Sequence, residues 1–181
     1  MTDANGERRR ASGGMPRGTL RVAGDKSIAR RAVMFGALAS GETRISGFLA
    51  GEDCLATLGA FRRMGVTIDG PSEDGRVRID GVGLHGLRQP DGPLDMGNSG
   101  TSMRLMAGLL AGQAFETELT GDASLCNRPM GRVVEPLGRM GASLEALGEG
   151  GRPPLRIRPA PGLHGIRYDL PVASAQVKSA M

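Results

Sequence analysis

Three stretches of this 181-residue chain gather hydroxyl, amide and cationic side chains beside glycine or alanine. The first is Gly24-Asp25-Lys26-Ser27, with Arg31 one helical turn further on. The second is Gly97-Asn98-Ser99-Gly100-Thr101-Ser102, followed by Arg104, and the third is Ala173-Ser174-Ala175-Gln176. Arg128 stands apart, just before Pro129. Such groups suit phosphates and carboxylates. Arginine offers paired donors, lysine a point charge, and a helix start adds unpaired N–H groups with a positive dipole end. Each residue also has a plain structural use. Ser27, Ser99 and Ser174 suit helix N-caps, and Gly97 and Gly100 suit a tight turn. Arg31 and Arg104 can lie on the surface with packed stems, and Arg128-Pro129 can lead into a helix with proline at its first position.

The elements that would position these stretches repeat along the chain. Apolar residues at helical spacing run from Ile28 to Leu38 and again from Met103 to Leu110, closed by Gly41 and Gly112. An alternating run follows each, Glu42–Gly47 and Phe115–Gly121, as expected of a half-buried strand. Second helices are predicted over about Asp53–Met64 and Met130–Met140, with Gly65 and Gly141 as left-handed stops. Two short strands complete each unit: Val66–Ile68 with Val77–Ile79, and Ser143–Leu147 with Leu155–Ile157. Equivalent glycines lie 71 to 76 residues apart. Opening strands are predicted at Thr19–Val22, Leu94–Met96 and Ile166–Leu170, with a third first helix starting near Ser174. All three polar stretches therefore fall at equivalent helix starts, which in a repeat architecture face a common centre.

Composition narrows the field. Lys+Arg 23 against Asp+Glu 19 gives a net charge of +4, and part of it is the Arg8-Arg9-Arg10 cluster in a polar leader. One short basic cluster and 3% aromatic residues make a poor nucleic-acid footprint. No apolar run is long enough to span a bilayer, and no secretory signal is legible, so a cytoplasmic protein is expected. The two cysteines (Cys54, Cys126) and two histidines (His85, His164) are isolated, so no metal site can be read and all four are expected to be inert. Gly24-Asp25-Lys26-Ser27 lacks the earlier glycine of a P-loop, and no dinucleotide fingerprint follows a strand. The methionines at helical spacing (Met34, Met64, Met103, Met106, Met140) read as core.

The stretches Leu20 to Ala32, Gly97 to Arg104, Asn127-Arg128-Pro129-Met130 and Ser174 to Ala180 together resemble, in order, four motifs of the 5-enolpyruvylshikimate-3-phosphate synthase family. The resemblance covers nearly everything from Gly18 to Met181. It implies an α/β fold of repeated βαβαββ units around a pseudo-threefold axis, in two similar domains whose first strand pairs into the other domain. Residues 1–17 are then a disordered polar leader, unit one covers about 18–90 and unit two about 91–162. Residues 163–181 begin a third unit, and the second domain is absent.

The implied reaction moves the carboxyvinyl group of phosphoenolpyruvate to the 5-hydroxyl of shikimate 3-phosphate, without metal or organic cofactor. By motif position Lys26 contacts both substrates near the transferring group. Ser27, Arg31, Ser174, Ala175 and Gln176 hold shikimate 3-phosphate, and Gln176 also reaches the second substrate. Asn98, Gly100, Thr101 and Arg128 surround phosphoenolpyruvate. Partners beyond these substrates and the missing domain are not expected, and the parent reads as a monomer. Asp25 stands where the family usually has serine, and can either hold Lys26 in place or repel an anion. Leu105 stands where many members have proline. The general acid and base belong to the absent domain, so the chain alone is expected to be inactive. Its last helix should expose an apolar stripe (Val177, Ala180, Met181) and lower solubility. Two other readings remain open: a non-catalytic anion-binding half-domain, and the sister enzyme that transfers enolpyruvate to UDP-N-acetylglucosamine.

Overall fold

The structure, a computed structural model, describes residues 23–181. The leader and the expected strand Thr19–Val22 lie outside the described residues. The first helix, α1 (Lys26–Leu38), turns Ala29, Val33 and Ala37 onto one buried face, a spacing of four that stacks them along the helix. Its cap is Asp25, whose carboxylate accepts from the Ile28 N–H at 2.8 Å. Ser27 is therefore not a cap. It is the second residue inside the helix, because the extended backbone at Asp25 already brings an acceptor to the third N–H.

Strand β1 (Ser40–Ile45), helix α2 (Glu52–Arg63) and strands β2 (Thr67–Asp69) and β3 (Val77–Val82) follow. They make a three-stranded antiparallel sheet in the order β1-β3-β2. The next stretch repeats the plan with β4 (Leu94–Asp95), α3 (Gly100–Ala111), β5 (Thr117–Thr120), α4 (Ala123–Cys126), α5 (Gly131–Arg139), β6 (Ser143–Gly148) and β7 (Arg152–Arg158). Its sheet runs β4-β5-β7-β6, so the order β5-β7-β6 matches β1-β3-β2 strand for strand. Gly65 and Gly141 stop α2 and α5 with φ of +88° and +94°, the left-handed turn expected of both.

The structure departs from expectation in the linking segments as well. The four-residue α4 was not foreseen. Asp122 caps it by accepting from the Leu125 N–H at 2.7 Å. Pro129 does not open α5, since Met130 is the cap and Gly131 the first helical residue. Residues 166–170 form no strand. β4 is a strand because β5 hydrogen-bonds beside it in parallel, and among the described residues none lies beside 166–170.

The last helix, α6 (Ala175–Ala180), starts where expected, capped by Ser174. Its apolar stripe is not exposed as foreseen. Val177 and Ala180 are buried, and Ala180 packs on α3 so closely that a side chain at Gly108 would overlap its carbonyl. The two repeats share one hydrophobic core running from Ala29 to Ala180. Met64, Met103 and Met106 are fully enclosed in it, as the helical spacing predicts. Among the described residues no helix is long and apolar enough to cross a membrane.

Candidate anion-binding site at three helix starts

At the start of α1, the Lys26 ammonium lies 2.9 Å from Asp53 Oδ2, a carboxylate in the first turn of α2. Asp25 does not hold the lysine, being occupied with its own helix. The Lys26 side chain is 52% exposed, so the ion pair is screened and worth only about 0–1 kcal/mol. Behind it the buried Arg30 donates from Nη1 to Ser99 Oγ at 2.7 Å. Ser99 caps α3 and donates to Ser102 Oγ at 2.8 Å, which shares a 2.8 Å hydrogen bond with Thr57 on α2. A buried polar chain thus fastens the starts of α1, α2 and α3 to one another. Buried polar groups are tolerated when hydrogen-bonded in this way, and they fix geometry more firmly than apolar packing does.

At the start of α3, Asn98 accepts from the Arg128 guanidinium and donates to Asp122 Oδ2 at 2.8 Å. Arg104 donates to the Gly100 carbonyl at 3.1 Å and to Gln176 Oε1 at 2.8 Å. Gln176 in turn donates to Thr101 Oγ1 at 2.9 Å, which ties α6 to α3. A Cβ on Gly100 would stand 2.9 Å from one Arg104 Nη and 3.2 Å from one of Arg128, so glycine here leaves room for both guanidinium groups. Burial, and then the charges of Arg128 and Arg132, pull the Arg104 guanidinium below its ordinary value. The fold thus accepts like-charge crowding here, which an arriving anion would relieve. A cavity of about 320 Å³ opens beside these groups, lined by Arg104, Arg132, Ser174, Ala175, Gln176 and Val177.

The structure therefore brings Lys26, Asn98, Gly100, Thr101, Arg128, Ser174 and Gln176 to three joined helix starts. Ser27 is half-buried on α1, and Ala175 is the exposed first residue of α6. Arg31 is set differently, along a groove between α1, α3 and α6 beside Phe35 and Leu109. Sequence reasoning missed Arg30 and Asp53. The available signal was weak, because acids in a first helical turn ordinarily just answer the dipole. His85 and His164 are exposed. Burial pushes the Cys54 thiol above its ordinary value, away from thiolate chemistry.

The family model described as EPSP synthase (3-phosphoshikimate 1-carboxyvinyltransferase) matches residues 12–181. The chain belongs to that family. The 3-phosphoshikimate 1-carboxyvinyltransferase of Alkalilimnicola ehrlichii is 69% identical over 169 residues, covering 93% of this chain and 37% of the relative. That of Methylococcus capsulatus is 64% identical over the same share of this chain and 38% of its own length. An EPSP synthase structure from Acinetobacter baumannii superposes with a TM-score of 0.87 at 57% identity, over 90% of this chain and 37% of that one. The chain thus spans a little over a third of the length of these EPSP synthases. Its α/β fold is that of the family over the shared part.

Proposed function

We propose that the protein, at the length of its relatives, transfers the carboxyvinyl group of phosphoenolpyruvate to the 5-hydroxyl of shikimate 3-phosphate and releases phosphate. The observation that carries this reading is the convergence of cationic and amide groups at three hydrogen-bonded helix starts, in a chain of the EPSP synthase family. Both substrates are small polyanions, and lysine, arginine and backbone N–H groups at the helix starts suit such ligands.

In this reading Arg128 and Asn98 take the anionic groups of phosphoenolpyruvate, over the open backbone of Gly100 and Thr101. Ser174, the Ala175 N–H and Gln176 take shikimate 3-phosphate, joined by Ser27 and Arg31. Lys26 reaches both near the transferring carbon, where charge builds in the tetrahedral addition product. Preorganised donors aimed at such charge are commonly the largest catalytic contribution. The remaining length of the enzyme supplies a second domain with the general acid and base, so the 181 residues alone bind but do not turn over. The reading further includes unit boundaries near 90 and 162, a monomeric enzyme, a cytoplasmic location and the making of aromatic precursors.

Incubating the full-length enzyme with both substrates tests the reaction. Phosphate and the enolpyruvyl ether should appear in equal amounts. Phosphate without the ether, or no reaction under any condition, refutes it. Titrating the 181-residue chain with shikimate 3-phosphate should show millimolar or weaker binding. Tight binding would instead favour a self-sufficient anion-binding module.

A further inference from the structure

Arg30 has no part in the substrate scheme above, yet it is only 5% exposed and charged. Its Nη1 donates to Ser99 Oγ and lies 3.7 Å from Asp53 Oδ2, the same oxygen that Lys26 Nζ approaches to 2.9 Å. One carboxylate oxygen therefore serves two cations of opposite character. The Lys26 side chain is 52% exposed, whereas that of Arg30 is 6% exposed and reaches from α1 to Asp53 on α2 and to Ser99 at the start of α3. The Arg30 Nε is buried without a hydrogen-bond partner among the described residues, so the guanidinium is not there to satisfy its own donors.

We propose that Arg30 is a positioning residue that keeps Asp53 neutralised so that Lys26 is released to a substrate anion. A carboxylate paired with Lys26 alone would lose its only countercharge whenever the ammonium turned away. An unpaired carboxylate that is only 19% exposed is disfavoured, so Lys26 would be held back. With Arg30 fixed in place, Asp53 keeps a cation in both arrangements, and the ammonium exchanges one anion for another at little cost. The hydrogen bond to Ser99, itself the cap of α3, sets the guanidinium at the distance this requires. The inference rests on the reading of Lys26 as a substrate-binding group.

The chain has two lysines, Lys26 and Lys178, and Lys178 is exposed. Acylation of the amines, read peptide by peptide, therefore reports Lys26 against an internal reference. Arg30→Gln should slow acylation of Lys26 about threefold or more, because Asp53 then holds the ammonium alone. Arg30→Lys should keep the parental rate, and Arg30→Gln with Asp53→Asn should match Asp53→Asn by itself. Local unfolding caused by the substitution would speed acylation instead. An unchanged or faster rate in Arg30→Gln overturns the proposal.

In the full-length enzyme, Arg30→Gln should lower kcat/KM for phosphoenolpyruvate about tenfold, and adding Asp53→Asn should recover part of it. A double variant no better than Arg30→Gln also overturns the proposal, since damage to structure is not repaired by a second loss. If the unaltered enzyme shows no transfer, the proposed reaction fails while the acylation result still decides the role of Arg30.

Discussion

At the start of α1, Lys26 and Arg30 share the Asp53 carboxylate, whereas at the starts of α3 and α6 the guanidinium groups of Arg104 and Arg128 rest on neutral oxygens. These belong to Gly100, Gln176 and Asn98, and the nearby Asp122 is engaged with the amide of Asn98. Equivalent positions in a repeat have thus been given opposite electrostatics. The first corner sets one internal carboxylate against two cations, and one of them must turn from it before it can bind an anion. The second holds uncompensated positive charge and is ready to receive one. On the proposed reading the difference gives Lys26 a mobile role and the arginines a fixed cradle, in two repeats whose sheets share the orders β1-β3-β2 and β5-β7-β6.

The largest effect should come from removing the mobile cation. Lys26→Met in the full-length enzyme is expected to lower kcat on the order of 10²–10³-fold, the usual cost of one preorganised donor to developing charge. Phosphate release measures it, and a near-parental rate would take Lys26 out of the site. Next comes the cradle: Arg128→Gln should weaken phosphoenolpyruvate about 10- to 100-fold, as expected for a charge-assisted hydrogen bond worth about 1.5–3 kcal/mol. Equal weakening of both substrates in calorimetric titrations would show that the cradle is not selective.

Gly100→Ala acts on the same cradle more gently. The added methyl meets the flexible ends of Arg104 and Arg128 rather than backbone, so folding should survive while both guanidinium groups shift. KM for phosphoenolpyruvate is expected to rise about tenfold, and the unfolding midpoint in urea should barely move. A large loss of stability with unchanged KM would mean that the glycine serves packing alone.

The smallest effect lies outside the site. Hydrogen bonds from Arg44, and then Arg78, hold Glu42 below its ordinary value of 4.5 on the outer face of β1. Its contribution to stability is complete above that ordinary value and is lost as pH falls through the depressed one. Arg78→Ala removes part of the depression, so stability should fall less steeply below about pH 4.5, with the acid midpoint moving by about a few tenths of a pH unit. Circular dichroism against pH would read it. A steeper acid loss would reverse the assignment.

What could be read without coordinates follows a physical divide. α1 and α3 were legible because helical spacing of apolar residues is a local record of a buried face. Gly65 and Gly141 were legible because a left-handed stop needs little beyond its own residue. The segment 166–170 was misread because a strand exists only beside another, and alternation says nothing about whether that neighbour is present. Ser27 lost the cap to Asp25 over a displacement of two residues, within the ordinary uncertainty of helix ends. At the site, the hydroxyl, amide and cationic side chains near the helix starts could be named one by one. The hydrogen bond from Arg30 to Ser99, across 69 positions of chain, could not, since no local pattern encodes it.

Gly108 is not one of the proposed anion-binding groups, yet Ala180 rests on its bare backbone. α6 is seated on α3 at Gly108, and that seat supports the presentation of Gln176 to Arg104 and Thr101. In a library of all single substitutions, position 108 should therefore be as intolerant as the arginines. A survey of tolerance alone would assign it to the chemistry, although its contribution is only an unoccupied volume.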